Sequence, residues 1–230
     1  MSNKPWAKVL RIVGIVLMGL TAVFTIMGGI GTSCVAINPT GFGGKFSGLA
    51  SFQWLYLLFV LFTFAFGVMG ARAVFLLTRA RANAYRYALI ALIGGSVVGV
   101  IHVIVSRSLR GSSMPVDMVT YTNLLTLVVF LVFRIPGLWQ HIDYGKASPA
   151  NMAGISGGLA AISGGAMALT IQYWMGPTHT INGVNYADAW HLQLQLVGWI
   201  LVVAGMSLMV WSTRLFPIKA RPATPQPVLD

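Results

Sequence analysis

WLYLLFVLFTFAFGVMGARAVF, residues 54–75, decides the fold. It carries a single charge, Arg72, and is long enough to cross a hydrocarbon core of about 30 Å, which takes about 20 apolar residues in a helix. It lacks the strict alternation of a barrel strand, so it reads as a membrane-spanning helix. Five further stretches read the same way: 12–30, 87–105, 116–133, 152–174 and 190–213. The fourth in chain order carries Thr120, Thr122 and Asn123, which dilute its first half. The expected fold class is therefore all-α: one polytopic transmembrane helix bundle of six predicted spans over residues 1–216. A polar, Pro-rich tail, 217–230, reads as disordered.

Composition supports the same class. Hydrophobic residues make up 57% of the 230, charged residues 8%, and mean hydropathy is +0.78. A water-soluble domain carries about 25% charged residues, so this chain cannot cover a surface facing water. The net charge of +11 comes from 15 Lys and Arg against four acids, all Asp: Asp117, Asp143, Asp188 and Asp230. With six spans and the N-terminus inside, Lys4, Lys8, Arg11, Arg72, Arg79, Arg81, Arg86, Arg134, Lys146, Arg214, Lys219 and Arg221 fall on the cytoplasmic side. Only Lys45, Arg107 and Arg110 fall outside. This positive-inside bias orients a multi-pass protein of the inner (plasma) membrane with both termini cytoplasmic. The basic side faces anionic lipid head groups, and nothing points to nucleic acid.

The apolar run of the first span exceeds the 7–15 residues of a secretory signal, so it reads as an uncleaved helix. The longest outer connections, 31–53 and 175–189, are too short for a domain of their own. Any site must lie in the bundle or in those two loops.

The fifth span repeats Ile-Ser-Gly-Gly at 155–158 and 162–165, and the third carries Gly94, Gly95 and Gly99. Small faces let helix backbones approach closely, which drives association where lipid is as apolar as the side chains. The partner could be another helix of the chain, a second copy or another membrane subunit.

Cys34 is the only cysteine, which excludes an internal disulfide, a CxxC pair and a cysteine-rich zinc site; it reads as a small loop-packing residue. The chain has no Glu and no carboxylate deep in a span. That argues against a cation-driven pump and paired-carboxylate catalysis. Arg72 and Arg134, near inner span ends, read as snorkelling to the interface or as an anion or lipid head-group site.

Polar residues gather at the start of the sixth span, Asp188-Ala-Trp-His-Leu-Gln-Leu-Gln195. On a continuous helix Asp188, His191, Gln195 and Trp199 share one face. Two readings follow. Asp188 caps the helix with His191 among the head groups, or Asp188, His191 and Gln195 bind a metal with His179 from the preceding loop. His102 precedes Arg107 by five residues, about 7.5 Å along a helix. With His191, it could supply the axial ligands of a b-type haem; His141 lies on the opposite side.

His191-Leu-Gln-Leu-Gln-Leu-Val-Gly-Trp199 resembles a stretch of small membrane proteins related to subunit I of haem-copper oxidases, where H-x-H precedes L-x-L-x-G-W. The resemblance implies haem and electron transfer. Gln193 stands where the family has its second histidine, so that ligand is missing here.

Three functions are compatible with these residues, and none includes a complete catalytic constellation. The first is a non-catalytic subunit of a larger membrane complex, packed through Gly-rich helices. The second is a haem or metal protein with its site near the outer face. The third is a passive carrier or channel for a small molecule, for which the sequence offers no positive feature.

Overall fold

The computed structural model describes residues 5–42, 44, 46–142, 144, 150–181 and 183–214. Lys4, Lys45, Asp143, Lys146, and the tail from Pro217 with Lys219, Arg221 and Asp230 lie outside the described residues. Helix α1 spans Pro5–Ile37, and a 3₁₀ turn, Ser47–Phe52, leads into α2, Gln53–Thr78. Then follow α3 (Ala84–Arg110), α4 (Val116–Phe133), α5 (Pro136–Ile142) and α6 (Ala150–His179). A two-residue hairpin, β1 (Thr180–Ile181) paired antiparallel with β2 (Val184–Asn185), precedes α7 (Tyr186–Ala189) and α8 (His191–Arg214). Six helices, α1, α2, α3, α4, α6 and α8, are long and apolar enough to cross a membrane; each of the first five contains one predicted span, and α8 covers the sixth except its first residue, Trp190.

Helix α4 has the bounds expected of its span, whereas α1 is far longer than its apolar run. At 33 residues it is about 50 Å long, and it continues through the Gly-, Ser- and Thr-rich segment read as the start of a loop. Cys34 accordingly lies exposed on the last turns of α1, not packed in a loop. Tertiary contacts override the weak helix propensity of glycine there. A methyl group at Gly28 would strike Val119 at 2.8 Å, and one at Gly29 would touch Thr63 and Phe64.

Helices α1–α4 form a closed ring in which each packs on the next and α4 returns to α1. Helix α6 lies against α1 and, more lightly, α2, and α8 packs on α6. The most apolar window of α1 is 39% buried and that of α8 only 11%, which makes α1 the central post and α8 the rim.

The α6–α8 contact identifies the partner of the small-residue face as a helix of the same chain. A methyl group at Gly158 would sit 2.6 Å from the carbonyl oxygen of Gly205, and one at Gly165 would sit 2.7 Å from that of Gly198. The reverse approaches, Gly205 to Gly158 O and Gly198 to Gly165 O, are 2.6 and 3.1 Å. Glycines seven apart on one helix thus meet glycines seven apart on the other, backbone against backbone.

At the Arg11 end of the ring the core is aromatic: Tyr85, Phe130, Phe133 and Tyr144 pack with Ile15 and Met18. Tyr144 lies parallel to Phe130 at 5.9 Å. Arg11, read from sequence as a head-group residue, is instead only 1% exposed. Its Nη2 donates to the Tyr144 carbonyl at 3.4 Å, the Tyr144 hydroxyl donates to the Arg11 carbonyl at 3.3 Å, and the guanidinium lies over the Tyr144 ring. Burial pushes the Tyr144 phenol up and the Arg11 charge partly opposes it. The bundle is sealed at this end.

Candidate functional site

Helix α4 carries the polar interior. Asp117, Thr120, Asn123 and Thr126 are all buried, three residues apart and so along one face. Two of the three residues expected to weaken this span, Thr120 and Asn123, are turned into the ring, while Thr122 donates to the Met118 carbonyl on a more open face. Thr126 meets Thr21 across α1, hydroxyl to hydroxyl, at 2.7 Å. Asn123 Nδ2 donates to the Leu92 carbonyl at 3.2 Å and to Ser96 Oγ at 3.4 Å. Glycines on α3 make room for this face, since a methyl at Gly95 would meet Asn123 Nδ2 at 2.6 Å and one at Gly99 would meet Thr120 Oγ1 at 2.7 Å.

Above Asn123 the four helices enclose a cavity. Thr25, Thr32, Thr63, His102, Thr120 and Asn123 supply its polar lining, and Phe66, Val98 and Val119 part of its apolar walls. The centres of water-sized spheres can occupy about 30 Å³ of it, room for one or two waters. Thr120 Oγ1 is buried and has no hydrogen-bond partner. His102, 3% exposed, stacks on Phe59 with ring centroids 4.3 Å apart and meets Tyr56 edge-on at 5.3 Å. Tyr56 holds its own place through Ser106 at 2.8 Å. Among the described residues none hydrogen-bonds the His102 ring. A buried polar group normally finds a partner; Thr120 Oγ1 has none, and it lines the cavity together with His102.

A polar clamp closes the α3–α4 connection beside the cavity. Arg107 Nη2 pairs with Asp117 Oδ1 at 3.0 Å, Arg107 Nε donates to Ser113 Oγ at 2.9 Å, and Ser113 Oγ donates to Asp117 Oδ1 at 2.7 Å. Arg110 donates to the Met114 carbonyl at 2.8 Å. At the other end of the cavity, beyond the Thr21–Thr126 pair, the Met18 and Phe130 cluster blocks the ring. On the Arg107 side the lining reaches Thr32 and Val116, near the end of α1 and the start of α4.

The other expected site residues are not brought together. His191 lies exposed on α8, which packs on α6, whereas His102 is enclosed by α2 and α4. The structure does not bring the two together. The face expected to hold Asp188, His191, Gln195 and Trp199 is interrupted at Trp190, where α7 ends before α8 begins. Asn185 rather than Asp188 caps the local helix, its Oδ1 accepting from the Ala187 and Asp188 N–H groups at 3.0 and 3.3 Å. Gln195 turns to α6, donating to the Leu169 carbonyl at 3.4 Å. His179 ends α6, and its side chain lies outside the described set. Among the described residues no three His, Cys, Asp or Glu side chains could hold a metal ion together. The nine residues that resemble the oxidase-related proteins open α8, where Gly198 serves the close contact with α6.

Arg72 and Arg134 are exposed, as expected of interfacial cations, and each lies over aromatic rings: Arg72 over Tyr87 at 5.2 Å, Arg134 over Trp139 at 4.6 Å and Tyr85 at 5.8 Å. The geometry adds no anion site around them.

Sequence reasoning singled out His102 but paired it with His191, whereas its neighbours here are Tyr56, Phe59 and the face of α4. It missed Thr120 and Asn123 as site residues, although the three-residue spacing Asp117, Thr120, Asn123, Thr126 was there to be read. Comparison with family models, curated proteins and solved structures returns no match for this chain.

Proposed function

We propose that the chain is an integral membrane protein that carries a small polar solute across the membrane by way of the α1–α4 bundle, a step that must open the Thr21–Thr126 layer closed in this structure. The observation behind this reading is the cavity towards the Arg107 end of the bundle, where the Thr120 hydroxyl is buried without a partner beside the His102 ring. Leaving such a group dry costs about 1–3 kcal/mol, and a fold that keeps it gains if something occupies the space beside it. The positive-inside bias turns the Arg107 end, and with it the mouth of the cavity, away from the cytoplasm.

This reorders the three expectations. The subunit reading leaned on Gly-rich faces awaiting a partner, and the faces of α6 and α8 occupy each other. The haem reading leaned on His102 and His191 meeting, and nothing supports that meeting: His191 lies exposed on α8, which packs on α6. The carrier reading, which had no positive feature in the sequence, now has one. Six helices long and apolar enough to span a membrane are compatible with it.

Reconstitution tests the proposal. Vesicles containing the purified protein are shrunk osmotically with a panel of small solutes and salts, and their reswelling is followed by light scattering against protein-free vesicles. Faster reswelling with at least one solute is expected. Equal rates across the whole panel would defeat the carrier reading.

A further inference from the structure

No Asp, Glu, Lys or Arg lines the cavity. The nearest charges stay outside that lining: Arg107 and Asp117 pair with each other, and Arg110, which donates to the Met114 carbonyl, lies towards Tyr56. A bare ion entering this space would lose its hydration shell with no charged group in the lining to replace it, which is costly in a low-dielectric interior. A neutral molecule gives up only hydrogen bonds, and the lining can replace those. The Thr120 hydroxyl both donates and accepts, a neutral imidazole presents one donor and one acceptor nitrogen, and the Asn123 carboxamide keeps an acceptor oxygen after its N–H groups are used. The Thr32 and Thr63 hydroxyls, half-buried on α1 and α2, add two more groups of mixed character. Phe66, Val98 and Val119 offer no polar contact and limit the width.

From this lining we infer that the site takes a small neutral solute, a few heavy atoms in size, that both donates and accepts hydrogen bonds, and that it excludes inorganic ions. The inference rests on the carrier reading and narrows it to a substrate class. Thr120 and His102 are the residues that recognise the solute. Asn123 positions them, since its amide is fixed to α3 by the Leu92 carbonyl.

The test uses the full chain in proteoliposomes with five probes: water, formamide and glycerol as a neutral series of increasing size, and K⁺ and Cl⁻ followed with a potential-sensitive dye. Formamide should equilibrate faster than in protein-free vesicles, glycerol should lag behind it, and neither ion should pass. Thr120→Val keeps the shape and removes the hydroxyl; His102→Phe keeps the stacking on Phe59 and removes both nitrogens. Each should lower the formamide rate by roughly fivefold to tenfold, the equivalent of one hydrogen bond. Ser207→Ala, on the exposed face of α8, should leave the rate unchanged. Thermal unfolding of each variant separates loss of the site from loss of the fold, and Thr120→Val should unfold no earlier than the parent. Passage of K⁺ or Cl⁻ would overturn the neutral class while leaving a carrier. Passage of water alone would overturn the solute site. If no probe moves, the carrier reading falls and the inference with it.

Discussion

Glycine brings helices together in two regions of this molecule, to opposite ends. Between α6 and α8, Gly158 and Gly165 lie against the carbonyls of Gly205 and Gly198, so the space a side chain would take is filled by backbone. Between α3 and α4, Gly95 and Gly99 lie against the tips of Asn123 and Thr120, so that space is filled by polar side chains. The first arrangement is adhesion, the packing expected where lipid supplies no hydrophobic drive. The second admits hydrogen-bonding groups to the middle of an apolar bundle and leaves a cavity among them. A stripe of small residues is thus not a function in itself; what it makes room for decides.

Substitutions can break this comparison, and the largest effect belongs to the adhesive contact. Gly158→Ala drives a methyl into the Gly205 carbonyl, and backbone cannot yield as a side-chain tip does. Overpacking of this kind costs about 1–3 kcal/mol. The expected result is earlier thermal unfolding in detergent and the loss of cross-links between cysteines placed on α6 and α8. Gly99→Ala should cost less, about 1 kcal/mol or below, because the Thr120 hydroxyl it meets can rotate aside. Its signature is functional: reduced solute flux with the fold retained. A pair of variants in which flux fell with Gly158→Ala and held with Gly99→Ala would invert the assignment of the two regions.

Smaller effects sharpen the same contrast. A methyl at Gly157 meets nothing within 4 Å, although Gly157 adjoins Gly158 in the repeat. Gly157→Ala should therefore be neutral or stabilise by about 0.5–1 kcal/mol, the ordinary gain of alanine over glycine within a helix. A melting temperature that dropped equally for Gly157→Ala and Gly158→Ala would show that the repeat acts by composition rather than by contact. Thr120→Val should change stability least of all. It removes a buried hydroxyl that has no partner, and such removals are near neutral or favourable.

Most of the architecture was legible in the sequence. Apolar length sets each span, and composition excludes a water-facing surface, so the six helices follow from physics that acts locally along the chain. The ends of α1 were not legible, because glycines 28, 29 and 31 weaken a helix in isolation and only Val119, Thr63 and Phe64, distant in sequence, repay the cost. Arg11 was hidden for a related reason. A basic residue beside a span normally reaches for head groups, and it takes Tyr144, more than a hundred positions later, to bury it.

The site was half legible. His102 announces itself as an ionisable group within a span, but which groups surround it depends on helix neighbours. Sequence periodicity gives a face and not its partner. Pairing His102 with His191 rested on their comparable depth on two helices, whereas α8 packs mainly on α6. Thr120 and Asn123 were visible only as dilution of apolarity. Their spacing with Asp117 and Thr126 marks an inward polar face once α4 is known to lie between α1 and α3.

The account stands on the claim that the cavity around Thr120 is reachable while the layer beneath it is sealed. Cys34 is the only cysteine of the chain, so Cys34→Ser provides a background for single cysteines at 120 and at 126. Thr126 is fully buried and bonded to Thr21, one turn and a half further in. The measurement is the rate of modification by methyl methanethiosulfonate in proteoliposomes, with and without formamide. Thr120→Cys should react readily and be protected by formamide, while Thr126→Cys should stay unmodified. Equal reactivity at the two positions, or no reaction at 120, would contradict the claim.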